Sequence, residues 1–402
     1  MTAEQSIDEF RASVGEWLER NCPASQRQPV RKAEQIWGGR RRCFPSEDAQ
    51  AWFEASRDRG FTAPDWPVEY GGAGLSPEQT KVLQQEMRRR GCRPPLYDQG
   101  LWMLGPTLLV YGTEAQKQQH LPKICRGEIR WAQGYSEPGA GSDLASLKTK
   151  ADDCGDHFIV NGAKIWTTKA DEADWIFCLV RTADGGPKQQ GISFLLIDLE
   201  SPGVTVTPIP LINGEAEFCQ TFFDNVRVPR SNLVGELHEG WAVAKELLKH
   251  ERKMMANLDD MLEKPPLSLA ALAGEAFRKD SETAHPDAEL RGRIAECLMR
   301  ESAVQGLGQR IYQQARAGQG DPRLPLLMKY LSTREAQEKN ELFLALLGSR
   351  GLSLAMEDGH EAAMVRQWAF DKALTIAGGT SEIQLNIIAK RALDLPMAGD
   401  AS

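Results

Sequence analysis

The sequence predicts an α+β chain laid out as helices, then strands, then helices, and three observations predict it. Apolar residues recur at helical spacing up to about residue 128, short apolar runs split by Gly, Pro and Asp clusters fill 129–236, and the helical period returns at Gly240. Three domains are therefore expected: a helical one over 1–128, an antiparallel β-barrel or sandwich over 129–236, and a helical one over 237–402. The 402-residue length agrees, since a domain typically takes ~100–200 residues.

In the first domain amphipathic helices are expected near 6–20, 46–59, 77–90, 97–111 and 114–126, with Gly and Pro punctuation such as WPVEYGGAG at 66–74. In the second, the runs 157–160 and 163–166 flank Asn161-Gly162. Asn-Gly accepts the positive φ angles of a type I′ turn, so a hairpin is expected there. Further strands are expected at 175–181, 192–199, 204–209 and 217–223. In the third domain the helical runs are 240–262, 287–317, 323–348, 361–375 and a short 381–393, with Pro265-Pro266 and 318–325 as inter-helix loops.

Charge and composition exclude several functions. With 48 Lys+Arg against 56 Asp+Glu, a net charge of −8 gives no electrostatic support for coating nucleic acid. The local runs Arg40-Arg41-Arg42 and Arg88-Arg89-Arg90 are then expected to be solvated surface or subunit contacts. No stretch approaches the ~18 apolar residues of a membrane span, and the first residues lack a secretory profile, so a cytoplasmic, membrane-free protein is expected. The eight cysteines form no CxxC pair, and His250-Glu251-Arg252-Lys253-Met254 has Met where a zinc-protease helix needs its second His, so no metal is expected. Neither GxGxxG nor GxxxxGK[ST] occurs, so any nucleotide cofactor must be held in another way.

Four places carry candidate chemistry. The segment GYSEPGAGSD at 134–143 is small and hydroxyl-rich. Its glycines let backbone N–H groups approach a phosphate or ring carbonyl closely, unless it is an ordinary surface loop. Trp166 and Thr168 are two apart, which on a regular strand places an indole and a hydroxyl on one face, suited to a flat heteroaromatic ligand or simply to a packed Trp. At 378–384 (GGTSEIQ) two glycines precede a helix whose Ser381 and Gln384 fit a capping box, so the segment is either an anion cradle or plain capping. On the helix from Gly240, the residues Ala244, Leu247, Leu248, Met254, Met255, Leu258, Met261 and Leu262 form one apolar stripe with Glu251 in its middle. A carboxylate facing the core has its pKa raised toward that of a general base; the other reading is a structural Glu paired with an Arg.

Together these segments resemble the acyl-CoA dehydrogenase family over nearly the whole chain. The family's [ST]-E-P-x-A-G-S-D loop is matched at 136–143, N-G-x-K-x-W-[IT]-[TS] at 161–168, F-x-[DN]-V-[RK]-V-P at 223–229, N-L-[VL]-G at 232–235, G-W from 240 and G-G-T-S-E-I-Q at 378–384. The run 131–138 is similar to bacterial members such as the large subunit of pimeloyl-CoA dehydrogenase. The resemblance implies FAD, a helical N-terminal domain, a middle antiparallel β domain and a C-terminal four-helix bundle, assembled as a homo- or hetero-oligomer, usually a dimer or tetramer. It implies that Tyr135 and Ser136 meet the flavin pyrimidine edge, that Gly141 and Ser142 contact FAD, and that Ser142 also reaches the substrate's pantetheine. By the same resemblance Trp166 and Thr168 meet the isoalloxazine, Gly379, Thr380 and Glu382 lie near the dinucleotide, and Arg252 lines the substrate entrance.

Two departures stand out. Many members carry the catalytic glutamate two residues before the Thr of the C-terminal motif, where this chain has Gly378; a minority place the base on the first C-terminal helix, which Glu251 matches. The family's R-K-x-F-G stretch is missing, and 273–280 reads AGEAFRKD, without the Arg that meets the FAD pyrophosphate. The implied reaction is α,β-dehydrogenation of an acyl-CoA thioester to the trans-2-enoyl-CoA. Glu251 would take the α-proton, the Gly378 N–H would help polarise the thioester carbonyl, and electrons would pass to electron-transferring flavoprotein. The alternatives are a non-catalytic partner subunit of a hetero-oligomeric dehydrogenase, or a flavin oxidase or monooxygenase on the same fold.

Overall fold

The structure is a computed structural model that describes residues 6–258, 268–279, 288–352 and 359–396, with 252–258 described by backbone alone. The chain divides into two compact units, one of residues 1–209 and 216–264, the other of 210–215 and 265–402.

The first unit opens with helices α1 (Ile7–Asn21), α2 (Glu47–Asp58) and α3 (Pro77–Arg89), each starting at a serine whose hydroxyl accepts a first-turn N–H. The single helix expected over 97–111 is instead a π-helical turn, Gly100–Leu104, running into α4 (Gly105–Tyr111). Pro106 has no N–H to continue the ladder, and a Cβ on Gly105 would stand 1.9 Å from the Trp66 ring. Helix α5 (Glu114–Cys125) completes this layer.

Eight strands follow: β1 (Trp131–Gly134), β2 (Lys150–Asp153), β3 (His157–Thr168), β4 (Trp175–Arg181), β5 (Ile192–Asp198), β6 (Val204–Ile209), β7 (Phe218–Pro229) and β8 (Leu233–Val234). They form one sheet in the order β6-β7-β3-β2-β4-β5-β8, with β1 joined to β4. Pairing is antiparallel except for β1 and β2, which each run parallel to β4. Strands β4 and β5 are largely apolar because both of their faces are covered: Phe177, Leu179, Phe194 and Leu196 face the helices, while Ile176, Cys178, Val180, Leu195 and Ile197 face a second core.

The hairpin expected at Asn161-Gly162 does not form. Strand β3 runs straight through it, and the extra residue lies on β7, where Asn225 takes φ +52 and its N–H donates to Asn161 Oδ1 at 2.8 Å. Gly162 is required for a different reason, since a Cβ there would sit 2.7 Å from the Thr149 backbone. A one-residue bulge on the partner strand, rather than the expected reversal of the chain, is what the structure builds here.

Helix α6 (Gly240–Leu258) belongs to this first unit and packs on β5, the π-turn and α4. Its N-terminus is pressed against β5 so closely that a Cβ on Gly240 would lie 2.4 Å from the Ser193 carbonyl carbon. In the second unit, α9 (Pro325–Leu347) packs against α7 (Leu269–Lys279), α8 (Ala288–Arg316), α10 (His360–Asp371) and α11 (Ser381–Arg391). Helix α7 was not expected: Gly274 interrupts its pattern, yet Leu269, Leu272 and Ala273 are buried with Ile294, Cys297, Leu342 and Phe343. It carries the sequence found in place of R-K-x-F-G, and Arg291 lies over the Phe277 ring at 4.5 Å.

Arg40, Arg41, Arg88 and Arg89 are exposed, as a surface setting for the arginine runs requires, while Arg42 and Arg90 are half-buried. Arg40 pairs with Asp198 and Glu200, Arg42 donates to the carbonyls of Arg126 and Gly127, and Arg90 pairs with Glu19 and Glu86. No described helix is long and apolar enough to cross a membrane.

Candidate active site

The glycine loop is held by a buried ion pair that the sequence reading missed. Lys164 is 0% exposed; its Nζ donates to Glu137 Oε1 at 2.8 Å and to the Tyr135 carbonyl at 3.1 Å. Glu137 also accepts the N–H groups of Lys148 and Thr149, at 2.6 and 2.8 Å. Burial pushes the Glu137 carboxyl up, but Lys164 and these donors outweigh it and hold the carboxyl below the usual range. The Ile165 N–H reaches the Ser136 carbonyl at 2.9 Å, so loop and strand β3 are tied at two points. The two family-like motifs at 136–143 and 161–168 are thus one construction. Its signal lay in β3, where Lys164 shares the inward parity of Phe158 and Val160. Beyond this brace the loop opens: Pro138, Gly139, Gly141 and Ser142 are exposed, and a Cβ on Gly139 or Gly141 would meet nothing within 4 Å.

Trp166 and Thr168 do not share a strand face by simple alternation. Between Ile165 and Thr167 the β3–β7 register shifts by one residue, and Trp166 is the residue left over, with φ +62. A bulky side chain in that region costs on the order of 1–3 kcal/mol and persists only when the surroundings impose it. They do: Thr167 is 0% exposed and donates to the Cys219 carbonyl at 2.9 Å, which leaves the Trp166 indole 53% exposed, edge-on to Phe218 at 6.1 Å. A flat, polar-edged ring system fits this arrangement of an outward indole, a half-buried Thr168 and an open glycine loop tied to the same strand. These residues therefore fit a flavin.

Within the same unit lies Glu251. The buried face of α6 is Val243, Ala244 and Leu247, and Glu251 continues it one turn later, half-buried. Gln133 Nε2 donates to Glu251 Oε2 at 3.3 Å. Tyr135, two residues further along, is buried with its hydroxyl lacking a hydrogen-bond partner among the described residues; burial, and then the Glu251 charge, push its phenol well above the usual value. The Arg252 side chain and those of Met254, Met255 and Leu258 lie outside the described residues, as do Met261 and Leu262.

The C-terminal motif belongs to the second unit. Gly378 and Gly379 take φ +64 and +94, a conformation that L side chains rarely adopt. The helix cap is Thr380, whose Oγ1 accepts the Ile383 N–H at 3.3 Å, so a simple N-cap one residue earlier stands in place of the expected Ser381–Gln384 capping box. Gln384 instead donates back to the Gly378 carbonyl at 3.2 Å, and Lys329, also missed, donates to the Gly379 carbonyl at 2.6 Å. Glu382 stands in the first turn of α11, where backbone and Thr380 hydrogen bonds hold its carboxyl below the usual range.

Comparison with known proteins gives this architecture a context. The sequence matches the acyl-CoA dehydrogenase N-terminal domain over 4–128, the middle domain over 132–226 and the C-terminal domain over 238–393. It is 35% identical over 393 residues to the acyl-CoA dehydrogenase IpdE1 of Mycobacterium tuberculosis, covering 98% of each chain. Among solved structures it is similar to the Tcur3481-Tcur3483 steroid ACAD, with a TM-score of 0.71 and 28% identity over 99% of this chain and 100% of that one. It is also similar to the ChsE4-ChsE5 complex of Mycobacterium tuberculosis, with a TM-score of 0.68 and 27% identity over 99% and 100%.

Proposed function

The chain belongs to the acyl-CoA dehydrogenase family, a family of flavoprotein oxidoreductases acting on CH–CH donors, and on that premise we propose that it oxidises an acyl-CoA to its trans-2-enoyl-CoA with Glu251 as the base. The observation that carries this reading is the placement of Glu251 on the buried face of α6, with an amide for a partner, in a chain whose usual base position is Gly378. The flavin we propose is FAD, which when bound would accept the β-hydrogen as hydride. Glu251 takes the α-proton at a carboxylate oxygen as the double bond forms, so that one proton and one hydride leave the substrate. The Trp166 and Thr168 edge and the loop through Ser136, Gly141 and Ser142 would hold the ring system, and Gly379, Thr380 and Glu382 are proposed toward the dinucleotide on the family resemblance. Gly378 keeps the backbone N–H that the same resemblance assigns to the thioester carbonyl, and Arg252 its place at the substrate entrance.

We further propose electron-transferring flavoprotein as acceptor, an oligomeric and cytoplasmic protein, and domain limits of 1–128, 129–236 and 237–402. The ChsE4-ChsE5 complex supports a hetero-oligomer as one form of that assembly. A bulky, ring-bearing acyl group is favoured by the missing side chain at 378 and by the similarity to a steroid ACAD. Anaerobic titration of the purified protein with straight, branched and ring-bearing acyl-CoAs, followed by flavin bleaching, tests the whole reading. Bleaching by one class supports it; a flavin-loaded protein that no acyl-CoA bleaches would overturn it.

A further inference from the structure

The strand face turned toward α6 is apolar with one exception. Trp131 and Tyr135 are 2% and 6% exposed and share a core with Val243, Ala244 and Leu247 of α6. Gln133 has the same parity as both and stands between them. The α6 stripe likewise has one polar member, Glu251, and the two exceptions meet at 3.3 Å. An amide facing a hydrophobic helix loses hydrogen bonds to water, and the Glu251 carboxylate gives the Gln133 amide an acceptor in their place.

We propose that Gln133 positions the Glu251 carboxylate for proton transfer, its amide hydrogen fixing Oε2 and favouring the ionised form, an inference that rests on Glu251 being the base. A neutral donor suits that task. It restrains the carboxylate and stabilises its charge without the full neutralisation that a cation would bring. Among the described residues, the elements packed on α6 bring few other charges. The π-turn brings no titratable group, α4 brings Tyr111, and β5 brings Asp198, already bonded to Arg40. Tyr135 faces Glu251 from beyond β1, and on α6 itself Glu246 is tied to Lys249 and His250.

The test replaces Gln133 by Met, which keeps length and burial but removes the donor. Protein labelled with 13C at the glutamate δ carbon shows the Glu251 resonance as the one lost in Glu251→Gln, and its titration is followed in the flavin-loaded protein. Loss of a hydrogen bond to the charged form should raise the Glu251 midpoint by about one to two pH units in Gln133→Met, and the acid limb of flavin reduction should move with it. Gln133→Glu, which keeps the shape and turns the donor into an acceptor, should raise the midpoint further and serves if the Met variant does not fold. An unmoved midpoint in a folded variant overturns the proposal, because a purely structural Gln133 would change thermal stability and leave the titration alone. The reading of Glu251 as base fails separately, if Glu251→Gln leaves flavin reduction near normal.

Discussion

Glu137 and Glu251 are two carboxylates of the same unit given opposite surroundings. Glu137 receives a lysine and two backbone N–H groups, so its charge is fully compensated and its carboxyl sits below the usual range. Glu251 receives an amide hydrogen on an otherwise apolar helix face. A carboxylate held by a lysine and two backbone donors is a fastener, because taking a proton would cost it those charge-assisted contacts. A neutral amide donor, such as the one Gln133 gives Glu251, lowers the basicity of a carboxylate less than a lysine does. The difference suits the first to structure and, on the proposed function, the second to chemistry, and it can be broken from either side.

The largest effect is expected at Glu251. Glu251→Gln keeps size and hydrogen bonding, so flavin content and thermal midpoint should stay near the parent while flavin reduction by acyl-CoA falls by ~10²–10⁴-fold. A large drop in melting temperature with normal turnover per folded molecule would reverse the assignment and make Glu251 the fastener.

Lys164→Met should show the converse. It strands Glu137 as a buried charge, and removing one partner of a buried pair typically costs about 3–5 kcal/mol. Chemical denaturation should show that loss together with weaker flavin retention, since the Tyr135 carbonyl and the Ser136 loop lose their anchor. Pairing the change with Glu137→Met should recover much of the stability but not the flavin, because two apolar side chains pack without restoring the anchor to the Tyr135 carbonyl. Full stability of the single variant would show that the backbone donors alone satisfy Glu137.

What the sequence disclosed divides along the same line. The order of helices, strands and helices was legible because each has its own period, and Glu251 because a charge stands out against an apolar stripe. Lys164 and Glu137 sit inside motifs that were read, yet their pairing is invisible to spacing: it joins a loop to a strand 27 residues on. Trp166 was expected on a regular strand face and stands on a bulge, since period-two alternation has no way to announce one. Asn161-Gly162 misled for the same reason: turn-type residues mark distortion of the chain, and only the partner strand decides whether it reverses.

A third buried carboxyl sharpens the comparison at its other extreme. Asp98 is 0% exposed; Oδ1 accepts the Gly100 N–H at 2.5 Å, while Oδ2 has no hydrogen-bond partner among the described residues. With so few donors, burial dominates and pushes its pKa up to about 8, against the pull of the Gly100 N–H and Arg130. The folded chain therefore keeps this proton between about pH 4 and pH 8, where the unfolded chain has lost it. Its contribution to stability is full below about pH 4, declines by at most about 1.4 kcal/mol per pH unit as pH rises, and is gone above about pH 8. Asp98→Asn cannot ionise and still offers Gly100 a carbonyl oxygen. Denaturation midpoints of the two proteins should thus lie close at pH 4 and separate steadily as pH rises, with the variant furthest ahead near pH 8. Parallel curves across that range would mean that Asp98 is ionised in the folded state, and that a buried carboxylate in this chain can stand on a single backbone donor.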